Sequence, residues 1–157
     1  MSVSETDPPS PEHSRYAAFA GRLTALERLS DALLESLIAE AAADPDASMG
    51  GSVLALIADH RLLSENQRAA LLSHPQYQQP FLQHRLRRAT LLHLLRASSL
   101  SEDVIQQCIS FPDAPVHRAL LDHPALSHSH LAALRDHGTN RAVRNIAAQR
   151  LRTRPHS

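Results

Sequence analysis

The sequence predicts an all-α protein, in the form of a short right-handed α-solenoid built from antiparallel helix pairs. Composition is the first reason: Leu and Ala dominate the apolar residues, aromatic residues make up 3% of the chain, and glycine occurs four times. Leu and Ala favour helices, whereas strands prefer β-branched and aromatic residues. The second reason is a Leu-Ser step that recurs and opens a helix-like segment at Ser30, Ser64, Ser101 and Ser127. Repeats of this size predict stacked helix pairs.

The N-terminal residues 1–14 have the composition of a disordered tail. They contain three prolines, three acidic residues and four serines, without apolar periodicity. From Arg15 to Leu29 the apolar residues fall at helical spacing, which predicts a first helix. A single helical repeat domain is therefore expected over residues 15–152, followed by a flexible C-terminus over residues 153–157.

The Leu-Ser segments supply one helix of each repeat. Serine is a preferred N-cap because its hydroxyl accepts a hydrogen bond from an otherwise unpaired amide of the first turn. Three of the segments close after the same number of residues, at Pro75, Pro112 and Gly138. The fourth and seventh positions after each serine are apolar, apart from Arg68, and predict one buried stripe.

A second family of segments supplies the other helix of each repeat. Residues 54–64, 91–101 and 117–127 align without a gap and each ends in Leu-Ser, and residues 142–151 form a weaker copy. Longer loops are expected at residues 45–52 and 75–80, where proline and glycine are frequent. The pattern predicts about eight helices.

The C-terminal third resembles the bacterial leucine-rich-repeat-variant and HEAT-like helical arrays. The resembling stretches are residues 114–124 (APVHRALLDHP), 131–134 (LAAL) and 142–147 (AVRNIA). Val143-Arg144 matches the valine-arginine step that begins a helix in such families, whereas Val116-His117 carries histidine in place of arginine. The resemblance implies a fold and not an activity. An iron–sulfur cluster can accompany the variant repeats, but it needs several cysteines, and Cys108 stands alone.

Histidines and Cys108 are the candidates for chemistry, and a structural role is expected for them. The densest histidine group is His117, His123, His128, His130 and His137. Zinc needs three or four converging ligands, and His128 and His130, two positions apart, diverge. His74, His123 and His137 occupy helix ends, where a protonated imidazole interacts favourably with the helix dipole. Cys108 falls in the buried stripe. We therefore expect no metal, no cofactor and no catalytic residue.

Arginine gives the strongest functional hypothesis. The chain has no net charge, but residues 1–80 carry −6 and residues 81–157 carry +6. Arg85 and Arg88 are three residues apart, as are Arg141 and Arg144, so each pair shares a helix face. With Arg118, these arginines are the predicted partner-binding residues. A solvated face, an acidic protein partner and nucleic acid remain open, although neutral net charge and the lack of nearby aromatic residues disfavour nucleic acid.

These observations predict a non-catalytic protein–protein interaction module, an adaptor or regulator of a bacterial cytoplasm. The partner is expected to be another protein, one with an acidic surface in particular, and the alternative is a nucleic-acid-binding helical repeat. An enzyme is the third and least favoured class. The sequence has neither a signal-peptide core nor an apolar run of membrane-spanning length.

Overall fold

The computed structural model describes residues 8–154, and these residues fold into helices alone. The fold class is all-α, as predicted. The described residues form nine α-helices: α1 (Pro11–Ala25), α2 (Asp31–Ala42), α3 (Ala47–Ala58), α4 (Glu65–Leu72), α5 (Pro80–Leu94), α6 (Glu102–Ser110), α7 (Ala114–Leu121), α8 (His128–His137) and α9 (Arg141–Thr153). A short 3-10 helix over Pro75–Tyr77 lies between α4 and α5.

All four recurrent serines are N-caps, as the sequence predicts. Ser30, Ser64, Ser101 and Ser127 begin α2, α4, α6 and α8, and each hydroxyl accepts a hydrogen bond from the backbone N–H three residues later. The stripe after them is buried too, including Leu37, Leu71, Cys108 and Leu134. Arg68, the polar exception, is buried in the same stripe because its guanidinium donates to Leu63 O at 2.6 Å and to His60 O at 3.4 Å.

Three helix boundaries differ from the prediction. Helix α1 begins at Pro11, because Ser10 caps it and proline fits the first helical turn. Residues 11–14 are therefore helical, and residues 1–7 of the expected tail lie outside the described residues, as do residues 155–157 at the other end. The loop expected at residues 45–52 is mostly helix α3, which begins at Ala47 behind the capping Asp46. Helix α5 ends at Leu94, so residues 95–101 of the segment predicted to be helical lie beyond it.

The loop prediction at residues 45–52 is wrong because Gly50 serves helix packing and not a turn. A Cβ atom on Gly50 would lie 2.6 Å from the Ala41 carbonyl oxygen of α2, far inside van der Waals contact. Gly50 is thus required by the close approach of two helices, and not by a turn. The approach of α2 to α3 is one of the contacts between sequential helices that dominate the structure.

Two compact units divide the chain, Met1–Leu86 and Arg87–Ser157, and the division falls inside α5. Each unit has its own apolar core. That of unit 1 includes Phe19, Ile38, Ile57, Tyr77 and Leu86, and that of unit 2 includes Ile105, Cys108, Leu120, Leu134 and Val143. The single repeat domain over residues 15–152 stays a prediction.

We call the odd-numbered helices α1 to α9 the A helices and the even-numbered ones the B helices. Within unit 1, A helix α1 contacts A helix α3, and within unit 2, α7 contacts α9 while B helices α6 and α8 contact each other. Helix neighbours therefore include the next helix of the same class as well as the next helix in the chain. Among the described residues no helix is long and apolar enough to cross a membrane.

Candidate functional site

Five histidines make the same pair of hydrogen bonds at the ends of helices. In each, Nδ1 accepts from a backbone N–H, at 3.0 to 3.2 Å, and Nε2 donates to an oxygen of another segment. His60 donates to Leu23 O at 2.7 Å, and His123 donates to Ala97 O at 2.6 Å. The other three are His74, His117 and His130, whose acceptors are Glu35, Ile109 O and Glu102.

This bonding pattern fixes the chemistry of the five rings. An Nδ1 atom that accepts from an amide carries no proton, so the ring is the neutral Nε2–H tautomer. His74 and His123 therefore serve as hydrogen-bond acceptors for the turn that follows them, and the expected interaction of a cationic ring with the helix dipole is not how they are held. Residues 8–154 contain no group of three or more side chains that could hold a metal ion.

A second recurrent contact joins successive B helices. Gln67, three residues after Ser64, accepts the Ser64 N–H at 2.9 Å and donates to Asp31, the first residue of α2, at 2.9 Å. His130, three residues after Ser127, accepts the Ser127 N–H at 3.0 Å and donates to Glu102, the first residue of α6, at 2.9 Å. We call these contacts the B-helix locks. Each combines a capping box with a tie to the preceding B helix.

Ser127, His130 and Glu102 also resemble a nucleophile, a base and an orienting acid. Ser127 Oγ lies 3.0 Å from His130 Nδ1, and the Glu102 carboxylate lies 2.9 Å from Nε2. The Ser127 N–H, however, occupies the same Nδ1 lone pair that a general base would need. Hydrogen bonds from Gln106 and His130 hold the pKa of Glu102 below its usual value. Since Gln67 builds the same lock in unit 1, the geometry is explained by helix capping.

A third recurrent contact joins an A helix to the end of the A helix before it. In unit 1, Arg85 of α5 pairs with Asp59, the C-cap residue of α3. In unit 2, Arg150 of α9 pairs with Asp122, the C-cap residue of α7, at 3.0 Å. These aspartates precede His60 and His123 directly, so Asp-His marks the end of an A helix in both units.

The predicted arginines fall into two groups. Arg85 and Arg88 are engaged in ion pairs within different units, since Arg88 pairs with Asp113, the buried N-cap of α7, at 2.6 Å. Arg85 belongs to unit 1, whereas Arg88 belongs to unit 2 and is tied to α7, the helix that carries Arg118. Arg118, Arg141 and Arg144 all belong to unit 2.

Arg118, Arg141 and Arg144 are close in sequence to a hydrogen-bonded junction between α7 and the start of α9. His117 Nδ1 accepts from the Thr139 N–H at 3.2 Å and from its hydroxyl at 2.8 Å, which joins the residue before Arg118 to the segment just before Arg141. Arg144 Nη1 donates to Gly138 O at 2.8 Å, beside the same threonine. Arg118 and Arg141 are exposed, and within residues 8–154 neither side chain has a hydrogen bond or an ion pair. We call these three residues the α7–α9 arginine cluster.

Charge in unit 2 is segregated between the two classes of helix. The A helices and the turns that flank them, residues 87–100, 111–126 and 138–154, carry nine arginines and two aspartates. Both aspartates, Asp113 and Asp122, are ion-paired with arginines. The B helices with their caps, residues 101–110 and 127–137, carry three acidic residues and one arginine. The positive charge of unit 2 is therefore a property of its A helices.

Two open depressions lie on unit 1, and the polar side chains that line the larger one are already hydrogen-bonded or ion-paired. One, of about 370 Å³, is lined by Leu23, Leu56, Asp59, His60 and neighbouring residues, and Asp59 and His60 are already bonded to Arg85 and Leu23 O. A smaller one, of about 190 Å³, lies along Gly50 and Gly51. The larger one also contains Thr24, but its hydroxyl donates to Ala20 O at 2.9 Å, and His60 is bonded to Leu23 O and not to Thr24.

Burial raises the pKa of the Cys108 thiol to about 11, so the group stays protonated at neutral pH and is a poor nucleophile. The side chain is fully buried in the core of unit 2, as its place in the apolar stripe predicts. Burial also raises the pKa of Tyr77, whose hydroxyl donates to Leu54 O at 2.8 Å.

Sequence reasoning missed the locks and the A-helix ion pairs. The signal was present, because residues 59–64 (DHRLLS) and 122–127 (DHPALS) align without a gap. It shows that the Asp-His step recurs, but the acceptors lie 26 to 37 residues away and only the folded chain reveals them.

No protein-family model, no curated protein and no solved structure matches the chain. The findings establish an all-helical protein with nine helices in its described part, and the resemblance to leucine-rich-repeat-variant and HEAT-like arrays stays a prediction.

Proposed function

We propose that this protein is a non-catalytic protein–protein interaction module, an adaptor or regulator built as a short α-solenoid. The observation that carries the proposal is the recurrence of the same contacts in both units. The serine caps occur twice in each unit, at Ser30 and Ser64 and at Ser101 and Ser127. The Asp-His steps and the B-helix locks occur once in each unit, at His60 and His123 and at Gln67 and His130.

Recurrent contacts favour a binding role over catalysis. An array of similar units presents an extended surface and places no single cleft above the others. The residues that otherwise suggest chemistry are engaged in these contacts: the histidines hold turns, the serines cap helices, and the thiol of Cys108 is buried. The side chains left for recognition are the exposed ones.

Affinity capture followed by reconstitution tests the proposal. The protein is used as bait in an extract of its own cells treated with nuclease, and the captured protein is then purified and titrated calorimetrically against the bait. A saturable complex of the two purified proteins supports the proposal. Capture that disappears on nuclease treatment contradicts it and favours the nucleic-acid alternative, and so does turnover of a substrate by the purified chain, which would favour an enzyme.

A further inference from the structure

We infer that the A-helix face of unit 2, centred on the α7–α9 arginine cluster, binds an acidic segment of a partner protein. The inference rests on the proposed function and specifies its surface and the chemistry of its partner. It replaces the broader set of predicted arginines, since Arg85 and Arg88 are already neutralised by Asp59 and Asp113.

Three A-helix segments of unit 2 lie side by side: the C-terminal half of α5, helix α7 and helix α9. Arg88 of α5 pairs with the N-cap of α7, and Ala97, just after α5, accepts from His123, just after α7. The C-terminal half of α5 and α7 therefore run in the same direction. Thr139, just before α9, bonds to His117 in α7, and Arg150 farther along α9 pairs with Asp122 at the end of α7. Helix α9 thus also runs parallel to α7, which makes α7 the middle of three.

Helix α7, the middle one of the three, exposes Arg118. Its buried side chains include Val116, His117 and Leu120, and it contacts α6. Its exposed residues recur at helical spacing, at Pro115, Arg118 and Asp122, so Arg118 lies on the open side of the three-helix layer. Arg141 and Arg144 lie in the first turn of α9, which the His117–Thr139 contact ties to α7.

The A-helix face of unit 2 carries positive charge that the chain itself does not neutralise. The two aspartates of this layer are both ion-paired, whereas Arg118 and Arg141 have no side-chain partner among residues 8–154. A face with unpaired arginines steers and retains a ligand of opposite charge, and guanidinium groups bind carboxylates in a bidentate manner. The geometry thus fits side-chain carboxylates of Asp or Glu.

A protein segment fits better than nucleic acid. The whole chain has no net positive charge, and unit 1 carries eleven acidic residues against six arginines, so a long polyanion would gain little from it. The A-helix segments of unit 2 contain one aromatic residue, Phe111, which is packed against the core, so stacking platforms for bases are lacking there.

The test uses the full chain and a fluorescein-labelled peptide of about twelve glutamates, which spans about 40 Å when extended and so crosses three helices packed 8–10 Å apart. Binding is followed by fluorescence anisotropy. Arg118→Glu combined with Arg141→Glu is expected to weaken the peptide about tenfold or more, because both contacts become repulsive. Both residues are exposed, so folding is expected to persist, and circular dichroism checks it.

A matched charge reversal gives the control. Arg28→Glu combined with Arg135→Glu changes the net charge equally at exposed sites outside the cluster, the second of them on B helix α8 of the same unit. Arg135 pairs with Asp136 at 2.8 Å, so circular dichroism checks the fold of this variant as well. This variant is expected to bind the peptide within about twofold of the native chain. An oligonucleotide of equal charge is the competitor, and is expected to bind more weakly.

Three results would overturn the inference: no binding of the glutamate peptide, equal weakening by both double variants, or tighter binding of the oligonucleotide. A partner protein that binds the native chain and the Arg118/Arg141 variant equally well would also overturn it, while leaving the proposed function intact.

Discussion

Single residues in this protein hold helix ends together through side-chain bonds to the backbone. Histidine does so at five places, with Nδ1 as acceptor and Nε2 as donor. Arg154 donates to Leu126 O at 2.6 Å, and Arg68 donates to Leu63 O. Leu63 and Leu126 lie between helices, directly before a capping serine, so their carbonyls have no helical partner and these donors replace the water that burial removes. Polar residues thereby serve the fold at positions where sequence alone suggests reactivity.

Cys108 gives a prediction at this scale. Because it is fully buried and its pKa is raised to about 11, the native thiol should resist a thiol-specific disulfide reagent at a pH near 8 and react only as the protein unfolds. The rate of colour release, measured with and without denaturant, checks this. Ala142→Cys, at an exposed site on α9, is the control and should react at once. Rapid reaction of native Cys108 would contradict its place in the core.

Helices recur along the chain with the same capping residue, serine, and each unit contains one B-helix lock. The N-caps were predictable from sequence, since a serine before an apolar stripe has a local physical cause. Asp46 and Asp113 cap α3 and α7 for the same reason, and they were missed because Gly50 and Gly51 on one side and Pro112 on the other suggest loops. The locks were not predictable, because Gln67 and His130 differ in chemistry and their acceptors lie far away in sequence.

The B-helix lock gives a prediction in which the molecule supplies its own control. His130→Gln copies the residue that unit 1 uses at this position and should leave the free energy of unfolding within about 1 kcal/mol of native. His130→Ala removes the acceptor of the Ser127 N–H and the tie to Glu102, and should cost about 1–3 kcal/mol. Urea titration followed by circular dichroism measures both. Equal losses for Gln and Ala would show that the two locks are not equivalent.

Two glycines are expected to respond to alanine substitution in opposite directions, because Gly138 is tightly packed and Gly21 is not. A Cβ atom on Gly138 would lie 2.5 Å from Leu134 O and 2.8 Å from Val143 Cγ1, and its φ of −56° is open to any residue. Gly138→Ala should therefore destabilise by about 1–3 kcal/mol through crowding alone. Gly21→Ala, at an exposed position of α1 where an added Cβ atom meets nothing within 4 Å, should stabilise by about 0.5–1 kcal/mol. Thermal unfolding of the two variants checks the opposite signs.

The whole molecule combines recurrent helix contacts with an uneven distribution of charge. Sequence predicted the helical class and the change of sign along the chain, since both depend on composition. It could not predict which arginines remain unpaired: Arg85, Arg88 and Arg150 contact aspartates 25 to 28 residues away, and only Arg118 and Arg141 of the predicted set keep their side chains unengaged within residues 8–154. The sequence therefore predicted the candidate arginines, and the contacts of the folded chain show which of them are already engaged within residues 8–154.

The most direct test compares the affinity of the glutamate peptide for two variants side by side. His130 holds helices together, whereas Arg118 and Arg141 are the proposed binding residues. Arg118→Glu with Arg141→Glu should therefore weaken binding about tenfold, whereas His130→Gln should leave it unchanged. Anisotropy titrations under identical salt measure both. Full affinity in the arginine variant, or a comparable loss in His130→Gln, would contradict the separation of binding from helix locking.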